Sequence, residues 1–273
     1  MQDLRIALIQ RELAWENPAA NRDQFAADIT ALDAGTDLVV LPEMFTTGFS
    51  MAAEKVAEDE AETTLPWLIA LAAEQRVAIT GSLAVRDRGQ VYNRLLFVTP
   101  DGEHRVYDKR HLFRMSGEDQ HYTAGSDKLI VEWRGWRICP MVCYDLRFPV
   151  WARNQRSVLP GEDARGEYDL LLFVANWPAK RRFQWRQLLI ARAIENQSYC
   201  IGLNRVGLDG NGLDYSGDSL VLAADGKMLL DCEDKPGVFS AKLDYQTMAR
   251  YRSKFPCHKD ADRFHLDPNP RQG

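Results

Sequence analysis

No apolar run in the 273-residue sequence reaches the roughly eighteen residues that span a bilayer, so no membrane-crossing helix is expected. Basic clusters are also missing. Lysine and arginine number 34 against 39 acidic residues, a formal charge of −5, and the signs are interspersed. That pattern lacks the electrostatic footprint of a nucleic-acid binder. Cysteine is sparse: Cys139, Cys143, Cys200, Cys232 and Cys257 are odd in number, scattered and without a C-x-x-C pair. The spacing argues against a disulfide frame or a zinc site. The opening "MQDLRIALIQRELAW" has no basic stretch followed by an apolar block and a cleavage site, so it reads as a first strand. The thiols are then expected in a reducing cytoplasm.

Histidine is scarce where it would matter. None of His104, His111, His121, His258 and His265 follows an apolar strand. His104 falls in a turn and His258 and His265 in the tail, where solvation is expected; His111 and His121 fall in loop-like sequence. A papain-like cysteine–histidine pair is therefore disfavoured, and a carboxylate becomes the expected base for any nucleophilic thiol.

What is present is an alternation of strand-length apolar runs with amphipathic helix-length segments. "LRIALIQ", "DLVVLPE", "VAITGSLAV", "VYNRLLFVTP", "LIVEWRG", "WRICPMV", "YDLLLFVANWP" and "YCIGLNRV" read as strands. "DSLVLAA", "MLLDC" and "GVFSAKL" follow as further strands. Helices are predicted over "NPAANRDQFAADITALDAG", ending near Gly35, over "TTLPWLIALAAEQR", "RRFQWRQLLIARAIENQ" and "YQTMARYRSKF", and from about Pro149 in "FPVWARNQ". The polar stretch 156–167 reads as a surface loop. One α/β domain over residues 1–255, with an irregular tail at 256–273, is the economical organisation.

In open α/β sheets reactive groups gather at the carboxyl ends of strands. Glu43 follows "LVVLP", Cys143 follows "WRICPMV", Asn176 and Trp177 follow "LLLFVA", and Asn204 and Arg205 follow "YCIGL". Lys109 lies within "VYDKRHLF". Each also has an ordinary reading: Glu43 as a solvated loop carboxylate, Lys109 as part of a charged edge, Cys139 and Cys143 as apolar filler on one strand face. Against filler, Cys143 stands where the apolar run stops, at a strand-to-helix turn. A helix N-terminus there would favour the thiolate.

"LVVLPEMFTTGF", "VYDKRHLF" and "PMVCYDLRFP", in that order, resemble the three signature blocks of the nitrilase superfamily of carbon–nitrogen hydrolases. "ANWP", "ARAIENQSYCIGLNRVG" and "YSGDS" resemble its later blocks. Within it, "CYDLRFP" and "NRVGLDGNG" look most like the omega-amidase branch, which deaminates 2-oxo-dicarboxylic acid monoamides. The resemblance implies a four-layer α–β–β–α sandwich, no cofactor, and pairing into a homodimer through one helical layer. It also implies Glu43 as general base, Lys109 as the family's lysine and Cys143 as nucleophile. Glu118 in "SGEDQHYTAGS" matches the second glutamate; Glu132 is the only other one between Lys109 and Cys143.

These residue types suit amide hydrolysis. A desolvated Glu43 takes the thiol proton, and Lys109 with the Tyr144 backbone N–H forms the oxyanion hole. Glu118 orients Lys109 and the hydrolytic water. A keto-acid amide needs a cation for its carboxylate, for which Arg147 and Arg205 are the candidates. Phe45, Phe148 and Trp177 are the candidate apolar walls. The alternatives are a nitrilase, an aliphatic amidase or an N-carbamoyl amino acid amidohydrolase with the same catalytic set, or a non-catalytic binding or scaffold member.

Overall fold

In the computed structural model, which describes residues 2–59, 61–155, 166–262 and 264–266, the alternating segments condense into two sheets. The chain begins with β1 (Leu4–Gln10), α1 (Pro18–Thr30), β2 (Leu38–Val40), α2 (Ala53–Val56), β3 (Glu58–Asp59) and α3 (Thr64–Gln75). It continues through β4 (Ala78–Asp87), β5 (Gln90–Val98), β6 (His104–Asp108), the one-turn α4 (Glu118–His121), β7 (Val131–Trp133) and β8 (Trp136–Val142). Next come β9 (Leu170–Ala175), α5 (Arg182–Asn196), β10 (Tyr199–Asn204), β11 (Val206–Leu208) and β12 (Asp214–Ser216). β13 (Leu220–Leu222), β14 (Met228–Asp231), β15 (Gly237–Leu243) and α6 (Tyr245–Lys254) complete the order.

One sheet runs β15-β1-β2-β4-β5-β6, with β3 beside β4, and the other runs β14-β13-β10-β9-β8-β7. The central trios β1-β2-β4 and β8-β9-β10 are parallel. Glu43, Cys143, Asn176 and Asn204 therefore all leave the carboxyl ends of parallel strands, where two sheets can bring them together.

The two-residue period decides the layering. Along β1, Ile6 and Leu8 enter the cluster shared with second-sheet residues such as Ile138 and Leu172. Ala7 and Ile9 instead meet Phe25 and Ile29 of α1 and Leu65 and Leu68 of α3. Both faces of this sheet are dry at its centre, which is why β1, β2 and most of β4 read as continuous apolar runs. On the second sheet, α5 lies so close to β10 that a Cβ at Gly202 would sit 2.4 Å from Leu189 Cδ1. Only glycine fits there. With α6 packed through Met248, the result is an α–β–β–α sandwich in one domain.

Some expectations need correcting. No helix begins near Pro149. A five-residue 3-10 turn, Cys143–Arg147, ends at Phe148 (φ −114°, ψ 84°) because a residue before proline is pushed out of the helical region. α1 stops at Thr30, short of Gly35. His104 lies on β6 and, like His258, is partly buried. The loop predicted at 156–167 falls outside the described residues up to 165, as does the tail from 267. Among the described residues no helix is long and apolar enough to cross a membrane.

Candidate active site

β8 ends at Val142 and the backbone reverses at once, with Cys143 at φ +44°. A left-handed conformation is strained for a residue with a side chain. Its effect is to take Cys143 off the strand face that Cys139 occupies. Cys139 is sealed in the core, whereas Cys143 lines the floor of a cavity of about 570 Å³. Asp145 pins the turn. Its Oδ2 accepts the Val142 N–H at 3.1 Å and the Tyr107 hydroxyl at 2.7 Å, and its Oδ1 accepts the His111 N–H at 3.0 Å.

Glu43 and Lys109 arrive from the other sheet. Glu43 follows β2 and Lys109 follows β6, each with no exposed surface. The Lys109 ammonium lies 2.9 Å from Glu43 Oε1 and 2.9 Å from both oxygens of Glu118. Glu118 opens α4 behind Gly117, whose φ of +78° turns the chain inward as a non-glycine residue would resist. Its Oε2 also accepts the Phe113 N–H at 2.6 Å. Glu43 Oε2 accepts the Asn176 N–H at 2.7 Å. Cys143 Sγ lies 3.9 Å from the Asn176 carbonyl oxygen.

The cluster holds two carboxylates against one ammonium. Burial alone would discharge Lys109, but Glu118, Glu43 and the Cys143 sulfur outweigh it and hold the ammonium above its usual pKa. Burial pushes the Glu118 carboxyl up, opposed by Lys109 and reinforced by Glu43. The Cys143 thiol is pushed well up by burial first and by Glu43 second. Burial and Glu43 thus disfavour the thiolate that a helix N-terminus would favour, and the turn that Cys143 opens is a five-residue 3-10 turn rather than an α-helix.

The structure brings Glu43, Lys109, Glu118 and Cys143 together and sorts the other predicted residues. Arg147 and Trp177 line the cavity, with the guanidinium 5.0 Å above the indole ring. Among the described residues no carboxylate pairs with Arg147. Tyr144 lines it too. Phe45 does not: it is sealed against Phe25 and Trp67, 5.7 and 6.2 Å between ring centres. Phe148 stacks on His111 at 3.7 Å, outside the lining. Arg205 is fully buried and donates to the carbonyls of Val206 and Leu208, 4.8 Å from the Tyr215 ring. It braces the wall from behind.

Sequence reasoning missed Phe49 and Phe113 on the walls, which stand in loops with no periodic signal, and Arg181, which ends a 3-10 turn ahead of α5. It also missed Asn93, a buried polar residue inside the strand-like "VYNRLLF". A lone asparagine in an apolar strand is a signal, since burying its amide demands partners. Among the described residues no group of three or more His, Cys, Asp or Glu side chains is arranged to hold a metal ion.

The sequence pattern of the carbon-nitrogen hydrolase family matches residues 5–253. Omega-amidase YafV of Escherichia coli (strain K12) is 46% identical over 269 residues, 97% of this chain and 100% of that protein. The 2-oxoglutaramate amidase of Bacillus subtilis (strain 168) is 31% identical over 258 residues, 93% of this chain and 96% of that one. Among solved structures, XC1258 from Xanthomonas campestris, a CN-hydrolase superfamily protein with an arsenic adduct in the active site, is similar with a TM-score of 0.95 at 46% identity. That likeness covers 98% of this chain and 100% of the other.

Proposed function

The chain belongs to the carbon-nitrogen hydrolase family and acts on amides, and from that premise we propose that it is an omega-amidase using Cys143 as nucleophile. Its substrates are 2-oxoglutaramate and 2-oxosuccinamate. The observation that carries the reading is one ammonium held 2.9 Å from Glu43 and from Glu118 beside the thiol on the cavity floor.

Glu43 accepts the thiol proton as sulfur attacks the amide carbon, so the proton leaves the thiol only as the C–S bond forms. Negative charge then collects on the carbonyl oxygen, where Lys109 and the Tyr144 N–H stabilise it by ~3–4 kcal/mol per good donor. Glu43 returns its proton to nitrogen, the C–N bond breaks and ammonia leaves. Water, deprotonated by Glu43, hydrolyses the thioester and restores the thiol.

Hydrogen-bond capacity separates the two glutamates. Glu118 Oε1 accepts from Lys109 and Asn93, and Oε2 from Lys109 and the Phe113 N–H. A carboxylate has about four acceptor sites, so none is left for water. Glu118 holds Lys109 and has no acceptor site left with which to orient the hydrolytic water. The three ammonium hydrogens likewise face three carboxylate oxygens. A protonated Glu43 accepts more weakly, so the proton transfer itself frees a Lys109 hydrogen for the oxyanion.

Arg147 supports the keto-acid choice, since an unpaired guanidinium in an aromatic wall suits a substrate carboxylate. The proposal extends to a cytoplasmic homodimer. Five free thiols suit a reducing compartment, and Phe183 and Ile194, 69% and 47% exposed, give α5 an apolar outer side for a second copy. The test compares ammonia release from 2-oxoglutaramate, a nitrile and a carbamoyl amino acid, with Glu43→Gln alongside. Preference for the keto-acid amide and an inactive, folded Glu43→Gln are expected. Full activity in that variant ends the mechanism, and preference for another substrate ends the omega-amidase assignment.

A further inference from the structure

We propose that Asn93 is a positioning residue: its amide, oriented by Ser82, holds Glu43 and Glu118 together around Lys109 and leaves one oxygen of Glu43 open to the thiol. Asn93 lies fully buried on β5. Its Nδ2 donates to Glu43 Oε1 at 2.9 Å and to Glu118 Oε1 at 3.2 Å. An asparagine amide could face either way, and here Ser82 decides. The Ser82 Oγ accepts the Met44 N–H at 2.9 Å, so its own hydrogen goes to Asn93 Oδ1 at 2.8 Å. With the carbonyl engaged, both N–H bonds must point at the carboxylates.

The same relay fixes the base from behind. Met44, next to Glu43, sits at φ +43°, and Ser82 anchors that strained residue by its N–H. Glu43 Oε1 is then filled by Lys109 and Asn93, while Oε2 accepts one hydrogen bond, from the Asn176 N–H. The open acceptor site on Oε2 is the one left for the Cys143 thiol, which burial first and Glu43 second push up. Rotation of the carboxylate would need all three of these hydrogen bonds to break. The charged and titratable groups facing Glu43 are Lys109, Glu118, Cys143, Tyr122 and Tyr215. Asn93 is the uncharged donor shared by its two acids.

The inference rests on Glu43 being the base, and the experiment keeps the two apart. Asn93→Asp, Ser82→Ala and Glu43→Gln are compared in the full chain by ammonia release from 2-oxoglutaramate against pH. A second readout is alkylation of Cys143 by iodoacetamide, followed on its peptide by mass, which needs no knowledge of the substrate. Losing an N–H donor makes the ionised carboxylate less stable, so it takes up a proton at higher pH; Asn93→Asp adds a like charge to this effect, and Ser82→Ala shows it without one. Asn93→Asp is expected to lose about a hundredfold in kcat with KM changed less than about threefold. Ser82→Ala, which frees the amide to flip and leaves the Met44 N–H without its acceptor, is expected to lose about tenfold. In both, the acid limb of kcat/KM and of alkylation moves upward by about one pH unit. Unmoved acid limbs in both variants overturn the proposal whatever the fall in rate, because a structural defect lowers the profile evenly. Should Asn93→Asp fail to fold, Ser82→Ala decides alone. A fully active Glu43→Gln sinks the base reading; an inactive one with unshifted limbs elsewhere sinks only the role of Asn93.

Discussion

Asn176 grips Glu43 twice, its N–H donating to Oε2 at 2.7 Å and its Nδ2 donating to the Glu43 carbonyl oxygen at 2.6 Å. The two residues follow strands of different sheets, β9 and β2, so the pair ties the base across the sandwich. Asn176→Ala removes the side-chain bond and keeps the backbone one. It should destabilise the fold by ~1–2 kcal/mol and lower kcat about tenfold with KM little changed. Urea unfolding and ammonia release check both numbers. Unchanged stability together with unchanged kcat would show that the Glu43 main chain needs no such tether.

The two arginines expected to bind substrate part company in the structure, and their variants should too. Arg147 faces the cavity with Trp177 beneath it, whereas Arg205 is buried outside the lining with its Nε and Nη2 donating to the carbonyls of Val206 and Leu208. Arg147→Leu is expected to raise KM for 2-oxoglutaramate about a hundredfold, equivalent to ~2.7 kcal/mol, without affecting an amide that lacks the carboxylate. Arg205→Met is expected to lower the melting temperature instead, since the freed carbonyls lose their donors. Equal KM effects in both variants would refute the division.

Much of this was legible before any coordinates. β1 and β8 coincide with the apolar runs "LRIALIQ" and "WRICPMV", because strands dry on both faces are written as unbroken hydrophobic sequence. Glu43 and Cys143 were visible because polar residues at strand ends interrupt such runs. The left-handed backbone at Cys143 was not, since Asp145 holds that turn by accepting both from Val142 beside it and from Tyr107 of the other sheet, a partner the local sequence does not mark. Phe45 and Arg205 misled for the same reason. Sequence places them one or two residues past a strand, yet side-chain direction there depends on tertiary partners, which sealed one among aromatics and the other under Tyr215.

Asp145 is the residue through which the elbow is expected to fail. It has no exposed surface and accepts from Val142, Tyr107 and the His111 N–H, with His111 Nδ1 2.7 Å from Oδ1. Asp145→Asn turns an acceptor edge into N–H groups facing donors. A loss of ~3 kcal/mol in urea unfolding is expected, with Cys143 alkylated faster as the turn loosens. Wild-type stability in this variant would mean that the strained turn holds itself.

Alkaline pH should expose how many thiols the core keeps neutral. Burial pushes Cys139 up to about 12 and drives Cys143, Cys200, Tyr107 and Tyr168 upward as well. In the unfolded chain a thiol ionises near 9.0, while in the folded protein it keeps its proton. Above that pH the folded state binds more protons than the unfolded one, so stability falls as pH rises; below it both states are protonated and these groups add no slope. Each buried thiol contributes up to ~1.4 kcal/mol per pH unit. Urea midpoints should therefore be level from about pH 7 to 8 and decline above about pH 9. Cys139→Ala lowers stability at every pH by leaving a small cavity, but its alkaline decline should be shallower than that of the parent. A parallel decline would mean that Cys139 ionises as freely in the core as in water, and the burial argument for Cys143 would fall with it.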